Sequence, residues 1–129
     1  MSELRNRELS SRVIEAAIAV HKALGPGFLE SVYENALCIE LRRMGIHFEQ
    51  QKPGGIFYQG EEVGQHRLDL LVEGILLVEL KAVSALEDVF FAVARAQMRA
   101  ADIPDGMILN FASMPLTIKR VGPGLNHHS

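Results

Sequence analysis

The stretch Arg67-Leu-Asp-Leu-Leu-Val-Glu-Gly-Ile-Leu-Leu-Val-Glu-Leu-Lys81 constrains the fold more than any other part of the chain, because it plants charges inside an apolar hairpin. Strand side chains alternate between faces, so Glu79 and Lys81 share a face with Ile75 and Leu77, while Leu76, Val78 and Leu80 take the other. The turn decides whether Asp69 joins them. A two-residue turn at Glu73-Gly74 pairs Asp69 with Val78, on the wrong face. A three-residue loop, Val72-Glu73-Gly74, pairs Asp69 with Leu77 and brings it to the side of Glu79 and Lys81. Such loops favour a glycine in the left-handed conformation at their last position, which Gly74 supplies. A three-residue loop is therefore the expectation.

Two carboxylates about 4 Å apart repel by roughly 4 kcal/mol at an effective dielectric near 20. A bound divalent cation relieves that repulsion, and hard oxygen ligands suit Mg²⁺ or Mn²⁺. Such an ion activates water and stabilises charge on an attacked phosphate, with Lys81 orienting or deprotonating the water, or offsetting charge in the transition state. Asp69, Glu79 and Lys81 thus form a candidate phosphodiesterase set. The competing reading is a solvated strand face in which Arg67 pairs with Glu79.

Around this hairpin the pattern is α/β. Val13, Ile14, Ala17, Ile18, His21 and Leu24 fall at helical spacing, predicting a helix over 7–24 that Gly25-Pro26-Gly27 stops. A second helix is predicted over 29–44, with Val32, Tyr33, Ala36, Leu37, Leu41 and Met44 inward and Gly45 as its stop. Ile46–Gln51 and Ile56–Tyr58 suggest strands broken by Lys52-Pro53-Gly54-Gly55. Strands follow at His66–Leu71 and Ile75–Val83, and an alanine-rich helix over 85–101. Gly106–Phe111 and Leu116–Val121 close the list as strands. The predicted order is ααββββαββ, a mixed sheet flanked by helices.

With 129 residues, the chain is expected to be one domain over 1–121 with a flexible tail over 122–129. His127-His128 in that tail suggest adventitious metal binding or a purification tag, with no function assigned. No apolar run spans a membrane and no signal peptide is evident, so the expected setting is cytoplasmic. The single cysteine, Cys38, fits that compartment and is expected to pack as a small hydrophobe. A formal charge of −3 argues against a protein that coats nucleic acid non-specifically, though not against a local grip. His21 is expected as a hydrogen-bonded core residue, His47 as structural or exposed. His66 is placed on the opposite parity to Asp69. Phe90 and Phe91 are read as core first, with an apolar interface patch or a surface for stacking bases as the alternatives.

Gly27-Phe-Leu-Glu30-Ser-Val-Tyr33 matches the pattern that names the GxxExxY family, assigned to the PD-(D/E)xK nuclease superfamily. Arg67-Leu-Asp-Leu-Leu-Val, Val78-Glu-Leu-Lys-Ala-Val83 and Gly106-Met-Ile-Leu-Asn-Phe111 extend the resemblance from about Val13 to Val121. The resemblance implies a restriction-endonuclease-like core with a central mixed sheet, and adds Glu30 to Asp69, Glu79 and Lys81 in the site. Tyr33, three residues along the same helix, would pack or orient Glu30. The implied activity is Mg²⁺- or Mn²⁺-dependent cleavage of nucleic acid, DNA before RNA, with a homodimer compatible. In one place the chain departs from the pattern. Where the helix after Glu-x-Lys commonly carries a His, a Gln and a Tyr, it has Phe90, Val93 and Gln97. Only Gln97 is left there to support the site. That departure keeps a second reading open: a catalytically weak or inactive nuclease-fold module binding nucleic acid or protein, such as a dimeric scaffold.

Overall fold

Two helices, α1 (Ser2–Leu24) and α2 (Glu30–Arg43), precede three strands, β1 (Phe48–Tyr58), β2 (Glu61–Val72) and β3 (Leu76–Lys81). Helix α3 (Asp88–Ala101) then leads to β4 (Asp105–Asn110) and β5 (Thr117–Val121). The computed structural model describes residues 2–124, so His127 and His128 lie outside the described residues. The five strands form one sheet in sequence order. β3 and β4 are parallel, joined through α3, and every other neighbouring pair is antiparallel. This is the mixed, helix-flanked α/β sheet expected of a restriction-endonuclease-like core.

Each face of the sheet has its own core. α1 and α2 pack with Leu70, Val72, Leu76, Val78, Leu80, Met107, Leu109 and Phe111. α3 packs with Leu68, Leu71, Leu77, Ile108 and Val121 through Ala94 and Met98. The alternation predicted for β3 holds from Leu76 onward, while Ile75, in the turn, lies against the α1/α2 side. The α1 stripe is rotated from the expected one: Val13, Ala17 and His21 are buried, joined by Ala16 and Val20, whereas Ile18 and Leu24 are exposed. Val32 is likewise exposed on α2, and Glu34 and Cys38 take buried positions.

The predicted break at Lys52-Pro53-Gly54-Gly55 is absent, so one strand, β1, stands where two were expected. β1 lies at the sheet edge, where a proline needs no ladder hydrogen bond. At Gly54 the His66 ring lies close, 2.8 Å from where a Cβ would sit, so a larger residue there would have to displace that ring. β1 and β2 therefore run on as a two-stranded arm, closed at Gln59-Gly60, both with positive φ.

Candidate active site at the strand fork

β2 pairs with β3 only at Leu70↔Val78, Leu71↔Leu77 and Val72↔Leu76. Beyond Leu70 the two part, β2 staying with β1 and β3 with β4. The turn sets this register. Glu73 and Gly74 both have positive φ, and the Ile75 amide donates to the Val72 carbonyl at 3.1 Å, so a tight two-residue turn forms. Ile75 is then one extra residue before the ladder resumes, acting as a bulge. The loop thus has three residues, as expected, but they are Glu73-Gly74-Ile75. The Asp69–Leu77 pairing is corrected accordingly: the same register carried one step on sets Asp69 across from Glu79.

Asp69 fills the fork. Its Oδ2 accepts the Leu80 amide at 2.9 Å, taking the place of a strand-to-strand bond. Asp69 lies near enough to Glu79, which is only 8% exposed, to act on its charge. Burial, followed by the Asp69 carboxyl, pushes the Glu79 pKa up to about 9, and Lys81 offsets only part of the rise. Among the described residues, Lys81 makes no ion pair with either acid. Its Nζ lies 4.7 Å from the centre of the Phe90 ring on α3. Arg67 does not pair with Glu79; it donates to the Gln51 carbonyl at 3.2 Å.

The other predicted residues sit farther out. Glu30, the exposed first residue of α2, accepts the Ala82 amide at 3.2 Å, one residue past Lys81. Tyr33 is fully buried and does not orient Glu30. Its hydroxyl donates to Gly25 O at 2.6 Å and accepts from Phe28 N at 3.1 Å, fastening the turn before α2, while its ring stacks on Phe111. Gln97 donates to the Arg67 carbonyl at 3.1 Å, and its own Oε1 is buried with no partner. His21 is a core residue bonded to Ser113 O, and Cys38 is buried, its thiol pushed up to about 11 chiefly by burial. His66 does not follow a regular alternation: it lies with Leu68 and Leu71 beneath Ala100 and Ala101, its Nδ1 unpartnered.

Two residues at the fork escaped the sequence reading. Glu34, 7% exposed, accepts from Gln50 at 2.7 Å and from Gln51 at 3.0 and 3.2 Å. Gln51 also reaches Asp69 Oδ1 at 3.5 Å, and its backbone is left-handed, φ 53°. The ladder accordingly skips the Gln51–Asp69 pair. A signal for Glu34 existed: it lies one helical turn after Glu30, beside an inward-facing tyrosine. For Gln51 there was none, because its role depends on a backbone conformation glutamine rarely adopts.

The family model described as the PD-(D/E)XK nuclease superfamily matches residues 7–121. The chain belongs to this superfamily. No curated protein and no solved structure matches it. For a member of the superfamily, carboxylate oxygens at Asp69 and Glu79 are hard donors that fit a divalent cation. Among the described residues, however, no three His, Cys, Asp or Glu side chains gather closely enough to hold one. No helix among them is long and apolar enough to cross a membrane.

Proposed function

We propose that this chain hydrolyses phosphodiester bonds of nucleic acid, DNA before RNA, with Mg²⁺ or Mn²⁺. The observation that carries the proposal is the placement of Asp69, its carboxyl fixed by the Leu80 amide, beside the buried Glu79 in the fork. Asp69 and Glu79 would hold the cation, with Glu30, at the start of α2, completing its shell directly or through water. When bound, it would polarise the scissile phosphate and offset its growing charge. The Leu80 amide fixes one oxygen of Asp69, so the acid is oriented before any ligand arrives. Lys81 supplies a positive charge to the phosphate as water attacks. The water oxygen bonds to phosphorus and gives up one proton, the bond from phosphorus to the sugar oxygen breaks, and the departing oxygen takes up a proton in its turn. Gln97 supports β2 from α3 by holding the Arg67 carbonyl. Tyr33 supports Glu30 only through the turn it fastens. The buried thiol of Cys38 suits a reducing cytoplasm.

A test is cleavage of DNA and RNA substrates by purified protein with Mg²⁺ or Mn²⁺. Asp69→Ala and Lys81→Ala should each lower the rate by roughly a hundredfold or more. Cleavage that survives both substitutions would sink the assignment. The second reading, a non-catalytic module on the same fold, draws on Gln97 being tied to the backbone and on Asp69 and Glu79 having no third ligand clustered with them among the described residues. Nucleic-acid binding without cutting, with dimers seen by light scattering, would favour it.

A further inference from the structure

Lys81 lies near two acids and pairs with neither among the described residues. Its ammonium sits over an aromatic face instead, well within the range of a cation–π contact. The ring belongs to Phe90 in the first turn of α3, packed against the cluster of Leu68, Leu71 and Leu77. The segment between β3 and α3 is itself pinned. Glu30 holds the Ala82 amide, and the buried Asn110 side chain bonds both the amide and the carbonyl of Val83. The Phe90 amide closes the first turn on the Glu87 carbonyl. Ring and lysine are thus placed by independent anchors.

A carboxylate partner would hold the ammonium but spend its charge. The face of a phenyl ring attracts the ammonium through its quadrupole while leaving the net charge in place. We propose that Phe90 is the positioning residue for Lys81, holding the ammonium clear of Asp69 and Glu79 so that its charge is free for a substrate phosphate. The inference deepens the phosphodiesterase reading and rests on it for the word substrate, but the ring–lysine contact can be tested apart from cleavage.

The chain has four lysines, so labelling their ε-carbons gives a short, assignable NMR spectrum. The Lys81 ε-protons should lie upfield of the other three by ring-current shielding. Phe90→Leu should return them to the common position, and Phe90→Tyr should keep them shifted. In cleavage assays, Phe90→Leu should lower kcat about three- to tenfold with KM little changed, and Phe90→Tyr should restore it. Site-specific replacement of Phe90 by increasingly fluorinated phenylalanines weakens the negative ring face at nearly constant shape. The rate should then fall stepwise with fluorine number. A rate flat across that series, with only the leucine variant slow, would make Phe90 a packing residue and overturn the proposal. So would a wild-type Lys81 signal standing with the other lysines. A chain that cuts nothing yet keeps the shifted Lys81 signal defeats the nuclease reading alone.

Discussion

The β1–β2 arm and the β3 strand meet at Asp69 and are built on opposite terms. In β3, Leu76 to Leu80 are all buried, sandwiched between the α1/α2 layer and α3. In the arm, Phe57, Tyr58 and Val63 are 65, 68 and 63% exposed, and β1 has no neighbour on its outer edge. A two-stranded ribbon with so little cover is marginal by itself. The contrast locates the site: a rigid strand supplies Glu79 and Lys81, and a less supported arm begins where Asp69 leaves the ladder. A fork of this kind leaves backbone groups unpaired at its crotch, and the Asp69 carboxylate satisfies one of them at Leu80.

The largest expected effect tests this inequality directly. Leu77 is fully buried under α3, and Leu77→Ala should destabilise the fold by about 2–5 kcal/mol. Phe57→Ala in the arm should cost less than about 0.5 kcal/mol despite removing a larger side chain. Urea denaturation of the two variants gives both numbers. Similar losses would mean that the arm is held by contacts its exposure does not suggest.

The same contrast explains what could be seen in the sequence. β3 was legible because alternation in a fully buried strand leaves no choice of face, and Glu79 and Lys81 stand out among leucines. The side of the sheet taken by Asp69 was legible too, through Gly74 in a turn that needs positive φ. Its partner was not, because a loop of Glu73-Gly74-Ile75 in place of Val72-Glu73-Gly74 shifts the register by two without changing the face. The arm was illegible for a different reason. Proline and paired glycines signal a break in a central strand, and nothing local says that β1 lies at an edge. Gln51 was hidden further still, since it meets Glu34 only once α2 is laid against the fork.

A second effect, dependent on pH and spread over several pH units, separates the fork from the rest of β3. With burial pushing its folded pKa up to about 9 from an ordinary 4.5, Glu79 is carried protonated in the metal-free chain near neutrality. Its raised pKa therefore contributes stability fully below about pH 4.5, and that contribution is lost as pH rises through about 9. The slope contributed by one such group reaches about 1.4 kcal/mol per pH unit at most. Melting temperatures of the metal-free protein should fall between pH 5 and 9, and Glu79→Gln should flatten the trend. Added Mg²⁺ or Mn²⁺, which binds the ionised form, should release protons on binding and offset the fall. A wild-type slope no steeper than that of the glutamine variant would place Glu79 in contact with water.

The smallest effect lies at the far end of the arm, where Gln59 and Gly60 make the closing turn between Tyr58 and Glu61. Gln59 has φ 54° and is exposed, so its side chain carries left-handed strain with no compensating hydrogen bond among the described residues. Asparagine tolerates that conformation better, and Asn-Gly is the preferred pair for a two-residue turn with both φ positive. Gln59→Asn should raise stability by about 0.5 kcal/mol. The gain should appear mainly as slower amide exchange at Tyr58 and Glu61, with the Leu80 amide unchanged, because an arm that opens locally can gain stability without passing it to the fork. If Leu80 exchange slows by the same factor, arm and fork open together, and Asp69 is then held by the whole hairpin rather than by its own bond to Leu80.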